Sequence, residues 1–314
     1  MFWDKSSHQP KKKMACCLSD KGYSFAVLEG TKLLHAEKRD FAEKSEAIVQ
    51  SFAHDVEKLH LAGQTCSLVL LPGQYQLVLL DTLEFVPNEE MAKALRWRLK
   101  GLVDYPLNDI AMDMFMVPPH GVAGQRKKAF VAVSPLSGLK TRVQLLESAY
   151  LRVDSVDIAE LALRNSISFL PSQSVAPTIA IGLEEETCQL NVFHQNSLYL
   201  TRELNLTQDT AGTPEGHQAF LLEIQRSMDY CLSELKLPEP QRIVFTPSFY
   251  TAENLLKFLQ QELAKDVVLM DLSAFVGIEP SQTLQEQQKY FLCISKALGL
   301  NPDAEMREDY DSAS

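Results

Sequence analysis

The carboxylate run Glu184-Glu185-Glu186 is the densest set of potential ligands in this chain of 314 residues. Neighbouring carboxylates can hold Mg²⁺ or Ca²⁺ through oxygen. The plainer reading is a solvated hairpin turn, because charge runs in turns usually face water. Nearer the N-terminus, Ser19-Asp20-Lys21-Gly22 is a second candidate turn. Its Lys21 could contact a phosphate, bridge to the glutamate run, or point into solvent. The seven histidines (His8, His35, His54, His60, His120, His194, His217) contain no His-x-x-x-His or His-Glu-x-x-His pairing, so no metal is expected. Ser134-Pro135-Leu136-Ser137-Gly138 lacks the first glycine of a nucleophile elbow, and no hydrolase triad is proposed. Arg96, Trp97, Arg98 and Lys100 form a basic, aromatic cluster of the kind found at interface hot spots. The alternative places Trp97 in the core and the cations in solvent. Residues one apart on a helix diverge, so the four cannot all face one partner.

The chain that must position these groups is 46% hydrophobic and 23% charged, enough to bury a sizeable core. A net charge of −11 argues against nucleic-acid binding, which depends on neutralising phosphates. No run of about 18–20 apolar residues suggests a membrane span, and the N-terminus does not read as a signal peptide. The six dispersed cysteines (Cys16, Cys17, Cys66, Cys188, Cys231, Cys293) lack Cys-x-x-Cys spacing. They read as buried thiols in a reducing compartment, the cytoplasm. Residues 1–13 and 301–314 read as flexible tails. Between them, strand patterns at Ala15–Leu28, Lys32–Asp40, Cys66–Leu71 and Tyr75–Thr82 surround a helix at Ser45–Leu61. A helix at Asn88–Leu102 follows, then strands at Ile110–Val117 and Lys128–Ser134, divided by the loop Pro118–Gly124. Helix, strand and helix at Leu139–Ala149, Val153–Val156 and Ile158–Phe169 complete an α/β unit. Pro171–Pro177 reads as a linker. The pattern then restarts with three strands (Thr178–Leu183, Thr187–His194, Ser197–Leu206) and a long helix at Glu215–Leu235. Arg242–Thr246, Glu253–Leu263, Asp266–Met270 and Thr283–Leu298 give strand, helix, strand, helix, so the halves suggest a duplicated architecture.

Asn88–Phe115 joins an acid-started amphipathic helix to an Asp104-Tyr105-Pro106-Leu107 corner and a hydrophobic strand. With Leu139–Leu163, Gln195–Leu204 and Ile224–Tyr230, this order resembles the PilM family of actin-like pilus-assembly proteins from about Ala15 to Leu300. The resemblance implies an α/β, actin-like ATPase (RNase H-like) fold with two lobes and the small subdomain 1C of FtsA and PilM. It places the first lobe (1A) at 14–75 and 136–172 with 283–300, subdomain 1C at 76–135, and the second lobe (2A/2B) at 178–282.

Such a fold holds nucleotide phosphates between two Asp-x-Gly hairpin loops. Glycine lets backbone N–H groups approach the phosphate, and aspartate places Mg²⁺. Here Ser19 and Lys21 occupy the first loop's Asp and Gly positions, although a one-residue shift restores Asp20-Lys21-Gly22. In the second loop Gly182 and Glu184 stand at those positions. Where relatives carry a Gly-Gly pair for the nucleoside, this chain has Thr246-Pro247-Ser248-Phe249, and Phe249 and Tyr250 would fill the space. The resemblance, corrected for these losses, implies a pseudo-ATPase with no catalytic residue and no ATP or Mg²⁺ cofactor, nearest the MshI proteins of mannose-sensitive haemagglutinin (MSHA) pili. The partner it implies is the N-terminal cytoplasmic tail of a PilN-like inner-membrane protein, coupled to the assembly ATPase machinery. Membrane contact would then come only through partners. Tyr75, Leu77, Leu95, Trp97, Leu99, Tyr105 and Pro106 are the expected tail-binding residues. Two alternatives are a nucleotide-binding actin-like ATPase and a GspL-like component of type II secretion.

Overall fold

The computed structural model describes residues 12–42, 46–83, 88–119, 127–170, 176–184, 186–279 and 282–300. The first lobe begins with three antiparallel strands, β1 (Lys12–Leu18), β2 (Gly22–Glu29) and β3 (Lys32–Asp40). Helix α1 (Glu46–Lys58) then leads to β4 (Thr65–Leu70), which runs parallel to β1. An excursion follows: β5 (Gln76–Asp81), α2 (Asn88–Arg96), β6 (Ile110–Val117) and β7 (Lys128–Pro135). The chain returns through α3 (Leu136–Ser148), β8 (Arg152–Ile158) and α4 (Ala159–Ile167). The first sheet therefore has the order β3-β2-β1-β4-β8, and the excursion forms a small β5-β7-β6 sheet. Strand β1 reads Met14-Ala-Cys-Cys-Leu18 without alternation because both faces of its sheet are covered, so every one of these residues is buried. The edge strand β3 carries charged residues instead, which discourages pairing with another chain.

The second lobe repeats the topology. Strands β9 (Thr178–Glu184), β10 (Thr187–His194) and β11 (Ser197–Leu204) are antiparallel. After α5 (Gln208–Ala211) and α6 (Pro214–Ser233), β12 (Arg242–Phe245) joins β9 in parallel. Then α7 (Glu253–Leu263) and β13 (Asp266–Leu269) complete the order β11-β10-β9-β12-β13. Helix α6 starts where Thr213 Oγ1 accepts from the Gly216 N–H at 3.0 Å, with Pro214 next to the cap. Finally α8 (Leu284–Gln287) and α9 (Phe291–Leu298) run back to the first lobe.

One hydrophobic core passes through the interface between lobes. It contains Ala15, Cys17 and Val69 of the first sheet, α4 and α9, and Ala180, Phe193 and Val244 of the second. Every residue of α9 except Lys296 is buried, as its nearly all-apolar sequence demands. The lobes are also tied backbone to backbone. Leu33 N–H donates to Gly277 C=O at 3.1 Å, and Gly277 N–H donates to Thr31 C=O at 2.8 Å.

Several boundaries differ from the sequence reading. Lys12 and Lys13 belong to β1 rather than to a loose leader. Residues 1–11 and 301–314, most of the Pro118–Gly124 loop and most of the Pro171–Pro177 linker lie outside the described residues. The helix expected at Asn88–Leu102 stops at Arg96 and tightens into a 3₁₀ turn at Trp97–Leu99; Gly101, at φ +79°, then reverses the chain. The expected helix Thr283–Leu298 is broken at Gln288–Tyr290, where Tyr290 leaves helical geometry with φ −134° and ψ 21°. All six cysteines are buried free thiols.

Candidate functional site

The two hairpin turns that could cradle phosphate face one another across the lobes, and their amides are already committed. In the first, Ser19 N–H donates to Gly22 C=O at 2.9 Å and Lys21 N–H donates to Ser19 Oγ at 3.1 Å. Gly22 has its own structural reason. A Cβ there would sit 2.0 Å from the Arg39 carbonyl oxygen, so this glycine serves the close approach of β3. In the second turn, Leu183 N–H donates to Ser248 Oγ at 3.1 Å, and Ser248 Oγ lies 2.7 Å from Thr246 Oγ1. The Thr246 methyl group would lie 3.2 Å from a Cβ placed on Gly182, so the loop after β12 sits directly on this glycine. Phe249 is fully buried, with its ring edge-on to Phe220 and Phe245 at 5.8 and 5.0 Å. It belongs to the second-lobe core. Tyr250 is only partly buried. Of the glutamate run, Glu184 reaches the interface beside Cys17, whose thiol pKa is raised chiefly by hydrogen bonding with Cys293 and by burial. Glu186 is exposed, and Glu185 lies outside the described residues. Lys21 is exposed.

Two small cavities lie between the turns among the described residues. One cavity of about 100 Å³ is lined by residues including Ser19, Gly22, Lys38, Glu184 and Phe291. A second, of about 10 Å³, touches Gly182, Glu184, Asn191, Thr246 and Leu292. Phe291 and Leu292 wall both, because the break at Tyr290 turns the start of α9 into the interface. Small-molecule sites are usually about 300–1,000 Å³.

Behind the cavities, three parts of the molecule converge on one carboxylate. Glu160, in the first turn of α4, is 2% exposed. Its Oε2 accepts from the Tyr75 hydroxyl at the root of β5, and its Oε1 accepts from Gln189 Nε2 of β10 at 3.4 Å. Burial pushes the Glu160 carboxyl pKa above the ordinary range, and the hydroxyl donation only partly opposes it. Burial likewise raises Tyr75, with the Glu160 charge adding to it. Beside them Lys296 Nζ donates to Asp157 at 2.7 Å. Sequence reasoning missed Glu160; the available signal was a lone acid within the apolar run Ile158–Leu163.

The small sheet separates the residues expected to bind a partner. Leu95 and Leu99 are fully buried with Met91 against Val131 and Val133, and Tyr75 is 6% exposed. These three are corrected to core positions: their side chains are spent on packing and on Glu160, leaving none of their surface for a ligand. Leu77 is partly buried on the opposite face of the sheet, towards the first-lobe core. Tyr105 is partly buried beside the α2 cluster, and Pro106 is exposed. The corner containing them is fastened to β5 by one side chain. Asp104 N–H donates to Gln76 Oε1 at 2.9 Å, while Gln76 Nε2 donates to Asp104 Oδ2. This clamp also went unread in the sequence. Strand β5 is one of the two outer strands of its sheet, so its outward N–H and C=O groups have no ladder partner among the described strands, although the Asp81 carbonyl at its end accepts from Arg98. Trp97 stands elsewhere: it is 78% exposed, and helical spacing puts it opposite the buried Leu95–Leu99 line. That overturns the alternative in which it is core.

Among the described residues no helix is long and apolar enough to cross a membrane, and no group of three potential metal ligands occurs. The family model for "Type IV pilus assembly protein PilM" matches residues 44–211, more than half of the chain. Among solved structures, a PilM-PilN type IV pilus biogenesis complex superposes with a TM-score of 0.71 at 15% identity, covering 93% of this chain and 100% of that one. A Bacteroides thetaiotaomicron protein with an actin-like ATPase fold gives 0.53 at 11% identity, covering 89% and 96%. The cytoplasmic domain of EpsL, an inner-membrane component of the Vibrio cholerae type II secretion system, gives 0.52 at 12%, covering 91% and 95%. No curated protein sequence matches the chain. The fold is thus that of the actin-like ATPases.

Proposed function

We propose a peptide-holding scaffold of type IV pilus assembly as the function of this chain, which belongs to the PilM family of type IV pilus assembly proteins. The occupant is the N-terminal cytoplasmic tail of a PilN-like inner-membrane protein. The observation that carries this reading is the open edge of β5 pinned by Gln76 to the Tyr105-Pro106 corner. An extended tail laid along such an edge gains main-chain hydrogen bonds, while alternate side chains meet pockets on either side. The partly exposed Leu77 and Leu79 offer apolar contact on one face and Tyr105 on the other. The chain works without turning over nucleotide. Support for that comes from the committed loop amides, the Thr246–Phe249 loop on Gly182, and Phe291 and Leu292 in the interface. The same erosion favours the MshI group of MSHA-type pili within the family. The protein would sit on the cytoplasmic side of the inner membrane and link the assembly ATPase machinery to membrane components.

The test is fluorescence polarisation with the partner's tail peptide. Tyr105→Ala and Leu79→Glu are each expected to weaken binding about tenfold, as loss of a hot-spot contact does. Trp97→Ala should leave it unchanged. Full affinity in both groove variants would move the peptide elsewhere on the molecule.

A further inference from the structure

Trp97 needs an account of its own. Its exposure of 78% is matched among the described large hydrophobic residues only by Tyr150 at 77%, and Leu102, just beyond the Gly101 turn, is 53% exposed. Lys93 and Lys100 lie four residues before and three after the tryptophan, one turn away on either side. Both are exposed, as is Arg98. The arginines bracket the patch rigidly: Arg96 donates to the Leu107 carbonyl at 2.5 Å and Arg98 to the Asp81 carbonyl at 2.6 Å. These cations stand on a chain whose net charge is −11. Neither cavity described above includes Trp97.

We infer that this tip is a contact for an anionic lipid bilayer. Tryptophan and leucine would enter the headgroup layer while Lys93, Arg98 and Lys100 meet lipid phosphates. Two observations choose this occupant over a protein partner. Hot-spot tryptophans of protein interfaces sit in well-packed pockets, whereas this one is largely exposed on the 3₁₀ turn that ends α2. A protruding indole flanked by lysine and arginine matches the headgroup region, which shapes itself around the side chain and supplies the opposite charge. One aromatic anchor and three cations give weak, reversible attachment, enough to orient the molecule rather than hold it unaided. The inference stands on the exposed patch and does not depend on the β5 groove.

The chain has two tryptophans, Trp3 and Trp97, so full-length protein carrying Trp3→Phe reports on Trp97 alone. The emission should shift to the blue when phosphatidylglycerol-containing vesicles are added at low salt, and stay in place with phosphatidylcholine alone. R98E/K100E should need at least tenfold more anionic lipid for the same shift, since each basic residue near such a surface contributes about fivefold and two are reversed. Circular dichroism checks that the double variant stays folded, as exposed positions should. No shift with anionic vesicles overturns the inference, and so does an equal shift with neutral ones or an undiminished response in R98E/K100E.

Discussion

Addition of 1 mM Mg-ATP should leave the thermal unfolding of this protein where it is. The magnitude follows from the interface between lobes. The two cavities between the turns, of about 100 and 10 Å³, are walled by Phe291 and Leu292, and both side chains are taken to move aside for a nucleotide. Those side chains are 2% and 5% exposed, and returning each to water costs about 1.5–3 kcal/mol. Taking about 5 kcal/mol for the pair, a site that would otherwise bind with a Kd of about 10 μM is weakened several-thousand-fold, into the tens of millimolar. The loop amides add nothing in return, because Ser19, Lys21 and Leu183 already donate to the chain itself. An intact site with a Kd of 10 μM would stabilise the fold by about 2.7 kcal/mol at 1 mM ligand. With an unfolding entropy of about 0.7 kcal/mol/K for 314 residues, that is a rise of about 4 °C. The plugged interface predicts no measurable change. Differential scanning fluorimetry separates the outcomes, with calorimetry as a check. A shift of several degrees at 1 mM Mg-ATP, with calorimetric binding that saturates at micromolar ligand, would refute the reasoning and restore the ATPase reading through Asp20-Lys21-Gly22.

Two further predictions concern buried carboxylates. Glu160 holds its proton more tightly in the folded protein than in the unfolded chain. Its contribution to stability is therefore fully present below the ordinary carboxyl value of 4.5 and falls as pH rises through the raised folded value. Glu160→Gln keeps an acceptor for Tyr75 but does not titrate, so its melting temperature should gain on wild type between pH 5 and pH 8; a gap that stays constant or shrinks would show that Glu160 ionises normally. Asp55 is 3% exposed and takes a bidentate pair of hydrogen bonds from Arg39 at 2.7 Å, plus one from Tyr23 at 2.6 Å. Asp55→Ala removes the acceptor of Tyr23 while Arg39, 40% exposed, regains water, and should cost about 1–3 kcal/mol, or about 2–5 °C in Tm. A loss under 1 kcal/mol in chemical denaturation would mean that the pair is solvated.

How much of this was legible depends on the range over which each determinant acts. The alternation of strand and helix patterns was readable because hydrophobic periodicity is local, and it located most elements to within a few residues. The break at Tyr290 was not, because Thr283–Leu298 carries enough apolar residues for an unbroken helix. Only the packing of α9 against both lobes makes a kink there preferable. Leu95 and Leu99 were recognisable as one helical stripe, but nothing in the sequence said whether the stripe faced a partner or the β5-β7-β6 sheet. Burial decides for the sheet, and it thereby detaches Trp97 from any groove that the stripe would have formed. The glycines show the reverse difficulty. Gly22 looked like the remnant of a phosphate loop through the shifted Asp20-Lys21-Gly22 register, since glycine is what such a loop needs, whereas Gly182 stood at an aspartate position. Contact distances give them other employers: the Arg39 carbonyl for Gly22 and the Thr246 side chain for Gly182. The room such loops leave for a ligand is thus better sought in what sits on them than in the loop residues themselves. Here Ser248 has taken an amide and Phe291 has taken volume, and reversing either alone would leave the other in place.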